Sequence, residues 1–393
     1  MSLPADRVDR LQRGALIVGA AAAAVSILGA FAFAGAEQFF RSYLAAFMLW
    51  LGVALGSLAI LMLHHLTGGA WGMVIRRHLE AATRTLPFLT AAFLPILGAL
   101  PVLYIWARPD LVAADPVLQT KRPYLNVPFF IARAVIYFAI WNALAYVLNR
   151  WSREQDAGGP RPIGSERKFR QLSAPGLMAY GLTITFASVD WVMSLDPHWF
   201  STIFGVLFMG GQGLSALAFA ILALAVTSNH EPLSQVVEPS HFHDLGKLLF
   251  AFVMLWAYFA FSQFLIIWSG NLPEEIPWYI ERLHGGWGAI ALVIAIGHFV
   301  APFLFLLSRE VKRNRGTVAM VAGALIVMRL IDLVWMIAPR PGHHGFPIHW
   351  LDVTLPVALG GIWIALFTRE LTRRQLLAVN DPYFEEVFAH GHH

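Results

Sequence analysis

The chain has 393 residues, 58% of them hydrophobic and 13% charged, with a mean hydropathy of +0.61. That leaves too little polar surface to clothe a soluble protein of this size, and a net charge of only +4 gives no sign of a nucleic-acid partner. Cysteine is absent, which excludes disulfides, iron-sulfur clusters and covalently attached c-type haem held by this chain alone, because each needs cysteine sulfur.

Ten apolar runs follow in chain order: Gly14 to Ala34, Arg41 to His65, Leu86 to Trp106, Val127 to Asn149, Ala174 to Met193, Phe200 to Thr227, Leu245 to Trp268, Gly286 to Leu307, Thr317 to Ala338 and Trp350 to Phe367. Each reaches the ~18 to 25 residues that a helix needs to cross about 30 Å of hydrocarbon. The spacing therefore predicts an all-α polytopic membrane protein. Arg10 and Arg13 ahead of the first run, with Ala32-Phe33-Ala34-Gly35-Ala36 at its end, also fit a signal peptide. An apolar core of about 20 residues exceeds the usual ~7 to 15, so the first run is expected to remain as a helix.

Basic residues fall into every second connection. One side carries Arg7, Arg10, Arg13, Arg76, Arg77, Arg84, Arg150, Arg153, Arg161, Arg167, Lys168, Arg170, Arg309, Lys312, Arg313, Arg315, Arg369, Arg373 and Arg374, nineteen in all. The other has six, Arg41, Arg108, Lys121, Arg122, Arg282 and Arg340. By the positive-inside bias the first side, with both termini, is cytoplasmic.

The chain reads as one membrane domain, 1–393, with little outside the spans. Helices 1 to 4 occupy 1–149 and helices 5 to 10 occupy 174–367. Between them 150–173 reads as a cytoplasmic linker, containing Gly158-Gly159-Pro160-Arg161-Pro162 and a basic run. Ser269 to Gly285 mixes Pro, acidic and aromatic residues and fits an ordered element lying at the outer interface. The tail, 368–393, either docks on another subunit or frays.

Three stretches carry a family resemblance. They are Leu63-His64-His65-Leu66-Thr67-Gly68-Gly69-Ala70-Trp71-Gly72 with Arg76-Arg77 and Glu80-Ala81-Ala82-Thr83-Arg84-Thr85-Leu86-Pro87; Ser188-Val189-Asp190-Trp191-Val192-Met193-Ser194-Leu195-Asp196-Pro197; and Ser262-Gln263-Phe264-Leu265-Ile266-Ile267-Trp268-Ser269-Gly270-Asn271-Leu272-Pro273-Glu274-Glu275. Together they resemble the F subunit of bacterial alternative complex III, which is similar to the NrfD/polysulfide-reductase membrane family. The resemblance runs over most of the chain. It implies two four-helix bundles flanked by peripheral first and last helices, in a bacterial cytoplasmic membrane. It also implies membership of a quinol:electron-acceptor (cytochrome c-type) oxidoreductase. The implied partners are a related NrfD-like membrane subunit, an iron-sulfur subunit and c-type cytochrome subunits, with lipids around them. Iron-sulfur clusters and c-type haems would sit on those partners, leaving this chain without a cofactor of its own. In the family the sibling C subunit is the better-supported quinol site, so whether quinol enters this chain stays open.

Ionisable residues inside spans are costly and mark sites or partners. Arg329 and Asp332, three apart on the ninth helix, share a face and predict an ion pair. Arg133 lies on the fourth helix, Asp190 near the end of the fifth, and Asp352 at the start of the tenth. His64 and His65 end the second helix, about 100° apart around it. His298 sits near the middle of the eighth, a poor depth match for a bis-imidazole haem. His64, Asp190, His298, Asp332 and Asp352 are thus candidates for a proton path, and Arg133, Arg329 and Asp332 candidates for structural ion pairs. His343 and His344, in Pro341-Gly342-His343-His344-Gly345, supply too few ligands for metal, as do His390, His392 and His393. The functional readings are a redox-complex subunit that anchors its partners and conducts protons, a pure membrane scaffold, and an autonomous secondary transporter. The third lacks the broken helices expected around a midplane substrate site.

Overall fold

The computed structural model describes residues 5–158, 164, 166–339 and 348–384. No strand occurs among them, and ten helices are long and apolar enough to span a membrane. These are α1 (Val8–Gly29), α2 (Gly35–Thr67), α3 (Ala70–Gly98), α4 (Val127–Ala157), α5 (Arg167–Leu195), α6 (Phe204–Thr227), α7 (Pro239–Gly270), α8 (Gly286–Leu307), α9 (Arg315–Ile337) and α10 (Leu351–Thr372). The chain is an all-α multi-pass membrane protein.

Helices α2 to α5 close one four-membered ring of neighbours and α6 to α9 a second, while α1 and α10 pair with each other outside α2. The rings share the α2/α6 seam, where backbones come unusually close. A Cβ on Gly56 would stand 2.1 Å from the Gln212 carbonyl oxygen, whereas one on Gly52 would meet only the Gln212 side chain at 3.4 Å. Small residues at such crossings let helices gain van der Waals contact where lipid supplies no hydrophobic drive between them. A similar approach joins α1 to α10, where a Cβ on Gly361 would lie 2.5 Å from the Gly19 Cα and Ser26 donates to Thr354 at 2.7 Å.

Several boundaries depart from the sequence expectation. The third span starts at Ala70, not Leu86, so Arg76 and Arg77 are helical and buried instead of lying in a loop. Helix α4 runs to Ala157 and α5 starts at Arg167, so most of the expected 150–173 linker is helix. The element expected in Ser269 to Gly285 is the helix Ile276–Leu283, with Trp278 and Arg282 buried. Arg282 donates to the Met336 carbonyl at 2.8 Å and Arg41 to that of Ile337 at 2.8 Å, so two cations satisfy carbonyls that the last turn of α9 leaves without helical partners. Burial lowers the Arg282 guanidinium from its ordinary pKa. The tail docks on its own chain as far as it is described: Leu376 and Leu377 are buried and Asp381 pairs with Arg76 at 2.6 Å. Arg340, His343, His344, Arg161, His390, His392 and His393 lie outside the described residues.

The α2/α6 seam makes a discriminating prediction. Gly56→Ala forces a backbone shift and should destabilise the protein by about 1–3 kcal/mol, while Gly52→Ala should stay near wild type. Thermal unfolding in detergent checks this; equal melting temperatures for the two variants would contradict the close approach.

Candidate functional site

The buried charges of the two bundles are held in different ways. In the first bundle, Arg133 on α4 grips Asp190 on α5 with both arms, Nε to Oδ2 and Nη2 to Oδ1 each at 2.8 Å. Tyr137 adds a hydroxyl donor to Oδ2 at 2.8 Å, and Arg133 also donates to the Tyr124 carbonyl at 3.0 Å. The rings of Tyr124 and Phe129 lie 3.9 and 4.3 Å from the guanidinium carbon. Bidentate, charge-assisted geometry of this kind leaves the carboxylate engaged on both oxygens. Asp190 is fully buried and acts as a staple between α4 and α5.

In the second bundle Arg329 pairs with Asp332 on the same helix, as their spacing predicts. The Arg329 guanidinium occupies space left by Gly211 on α6, where a Cβ would come within 2.4 Å of its carbon, and it faces the Phe208 ring at 5.4 Å. Asp332 has one such partner and lines a cavity of about 520 Å³ between α7, α8, α9 and the helix Ile276–Leu283. The cavity walls are almost wholly apolar; besides Asp332, its polar side chains include Tyr258 and the pair Gln263 and Tyr279, linked at 3.3 Å, with Ser201 donating to Gln263 at 3.0 Å. Burial pushes the Tyr279 hydroxyl up to about 12, and its oxygen accepts from Gln263 Nε2.

His298 lies behind this cavity. Its helix departs from α geometry at Ala295–Val300, a π turn that accommodates an extra residue and often marks functional positions. The imidazole is fully buried, neither ring nitrogen has a hydrogen-bond partner, and its ring stands 3.9 Å from that of Trp256. Trp256 itself lines the cavity with Asp332. The structure thus groups Arg329, Asp332 and His298 around one bundle interior.

The other sequence candidates lie elsewhere. Asp352 accepts from Ser42 at 2.6 Å and from the His349 amide at 2.8 Å, tying the start of α10 to α2. His64 belongs to a pocket at the arginine-rich end and is 4% exposed, with Nδ1 unpartnered. Among the described residues no group of three or more His, Cys, Asp or Glu is placed to hold a metal ion.

Sequence reasoning missed Glu80. It receives Arg76 at 2.9 Å, Arg77 at 2.7 Å and Arg374 at 3.2 Å, and Arg77 also pairs with Asp156. The i,i+4 and i,i+3 spacing of Arg76 and Arg77 to Glu80 was the available signal. No protein-family model matches the chain, and no curated protein matches it.

Breaking the Arg133–Asp190 pair strands one charge in an apolar interior. Either Arg133→Met or Asp190→Leu alone should cost about 3–5 kcal/mol, and the double substitution markedly less than their sum. A double-mutant cycle on thermal unfolding reads the coupling; strictly additive losses would contradict the staple.

Proposed function

We propose that this chain is a membrane subunit, without a redox centre of its own, of a bacterial quinol:cytochrome c-type oxidoreductase, and that its second bundle carries protons during turnover. The family reading rests on the three quoted stretches. The proton reading rests on one observation: Asp332, held by a single arginine, opens onto a cavity with Gln263 and Tyr279, while an unpartnered imidazole, His298, is buried behind it. A carrier must change charge without collapsing its surroundings, and a carboxylate with a permanent cation beside it and space on its other side meets that demand. Quinol oxidation within the complex supplies electrons and protons. Asp332 takes up and releases a proton, Arg329 holds the carboxylate in place, and His298 serves as the next acceptor towards the arginine-rich end through transiently ordered water.

The same reading places the chain in the cytoplasmic membrane with both termini and the arginine-rich end cytoplasmic, following the uneven distribution of basic residues. Iron-sulfur and c-type haem subunits and a related multispan subunit are the partners, and this chain anchors them. The scaffold reading draws specific support from the first bundle, where Asp190 has a complete structural role.

Asp332→Asn keeps the side chain's approximate volume and removes its titratable group. The assembled Asp332→Asn complex should retain quinol-to-acceptor electron transfer and lose proton-motive coupling in reconstituted vesicles. Coupling equal to wild type would leave the scaffold reading in place.

A further inference from the structure

A groove of about 780 Å³ runs between the peripheral α1/α10 pair and α9, with Leu49 and Trp50 of α2 in its wall. Its length follows from the way α1 and α10 pair. Gly19 lies against Gly361 and Ser26 donates to Thr354 at 2.7 Å, so the two helices run antiparallel. Arg10 stands nine residues before Gly19, and Asp352 nine before Gly361 on the helix that runs the other way. At about 1.5 Å per residue these two lining residues are about 27 Å apart along the pair, close to the ~30 Å thickness of the hydrocarbon. Val18, Val327 and Val353 line the groove and are exposed, so it opens sideways to lipid.

Shape selects the kind of occupant. Spread over about 27 Å, the volume gives a mean cross-section of about 30 Å², against roughly 80 Å² for a helix about 10 Å across with its side chains. An extended hydrocarbon chain enters such a groove and a partner helix does not. Gly14 adds room near Arg10, where a Cβ would meet no heavy atom within 4 Å.

Charge selects the headgroup. The lining is charged only at its two ends. Asp352 is held by Ser42 at 2.6 Å and by the His349 amide at 2.8 Å, and the Trp50 indole nitrogen donates to the Pro356 carbonyl at 2.9 Å. At the other end Arg13 follows Arg10 by three residues, on the same face of α1. The register of the pair brings Arg369 and Arg373, at the end of α10, level with them. Over 8–13 and 369–373 the acidic residues are Asp9 and Glu370, and Glu370 is already paired with Arg84 at 2.9 Å and Arg373 at 2.6 Å. Four arginines against two carboxylates leave this end net positive, the complement of an anion at headgroup depth.

We propose that this groove holds an anionic phospholipid, with its phosphate at Arg10 and an acyl chain lying along the groove towards Asp352. Helix α1 packs chiefly on α10, so the acyl chain fills the space that separates α1 from the second bundle. The site needs no redox partner and no proton movement, and its test is independent of the function proposed above.

Native mass spectrometry of the full-length chain in detergent, titrated with phosphatidylglycerol or phosphatidylethanolamine of matched acyl chains, reads the proposal directly. One phosphatidylglycerol should bind about tenfold tighter than phosphatidylethanolamine, the order expected when a net anionic headgroup meets one or two arginines. Arg10→Gln should bring phosphatidylglycerol down to the affinity of phosphatidylethanolamine, and Arg10→Lys should restore most of the difference. Gly14→Leu places a side chain in the groove without a clash and should weaken both lipids severalfold. Because Arg10 is exposed and Gly14 has open space beside it, both variants should melt near wild type, which separates ligand loss from misfolding. Equal affinity for the two lipids, indifference to Arg10→Gln, or unchanged binding of both lipids by the Gly14→Leu variant would overturn the proposal. So would displacement of the lipid by equimolar glycerol phosphate, since a free phosphate ester would then be the ligand, or a dimer abolished by Gly14→Leu, since a second copy of the chain would then fill the groove.

Discussion

A charge surrounded by apolar helices persists only with a partner, and this constraint organises both ends and both bundles of the protein. Glu80 holds together Arg76, Arg77 and Arg374 from two separate parts of the chain, and Asp381 in the tail completes the shell around Arg76. At the opposite end Arg282 finds helix carbonyls, and Arg41 a helix carbonyl as well as the Glu37 carboxylate at 3.1 Å. Within the first bundle Asp190 is engaged on both oxygens, so α4 and α5 are fixed relative to each other. The second bundle departs from full compensation. Asp332 has one cation and an adjoining cavity, and His298 has no polar partner. That asymmetry between otherwise parallel bundles is the physical basis for the proposal that one is structural and the other carries protons.

Close backbone approach sets where those charges can meet. With Gly56 against the Gln212 carbonyl, the two rings of helices share a seam where backbone meets backbone. Gly211, one residue before Gln212, makes the room that Arg329 fills, so the same stretch of α6 joins the bundles and shapes the ionic site. The Tyr180 hydroxyl donates to Gln212 at 2.8 Å and links α5 to this arrangement.

Span number and class were legible because each run is long and apolar, and because hydropathy needs no knowledge of partners. The start of α3 was not legible for the converse reason. Arg76, Arg77 and Arg84 depress local hydropathy and read as a loop, and the groups that let Arg76 and Arg77 be buried include Gln155, Ser152 and Asp381, all remote in sequence. The Arg329–Asp332 pair was visible because three-residue spacing puts both groups on one helix face. The Arg133–Asp190 pair joins different helices, so each residue could be flagged but neither partner assigned. Depth in the span located His298, yet nothing in Ala295-Ile296-Gly297-His298-Phe299-Val300 announces the π turn or the Trp256 ring against it. The tail, read as either docking elsewhere or fraying, folds back through Asp381 and Tyr383, contacts that only the assembled helices create.

The central claim is that Asp332 changes protonation during turnover whereas Asp190 does not. Redox-induced infrared difference spectroscopy on the assembled complex, with the two aspartates isotopically distinguished by site-specific carboxyl labelling, measures this directly. The account predicts a carboxyl band that responds to turnover and shifts with the label at Asp332, and no such response from a label at Asp190. A silent Asp332, or a responding Asp190, would contradict it.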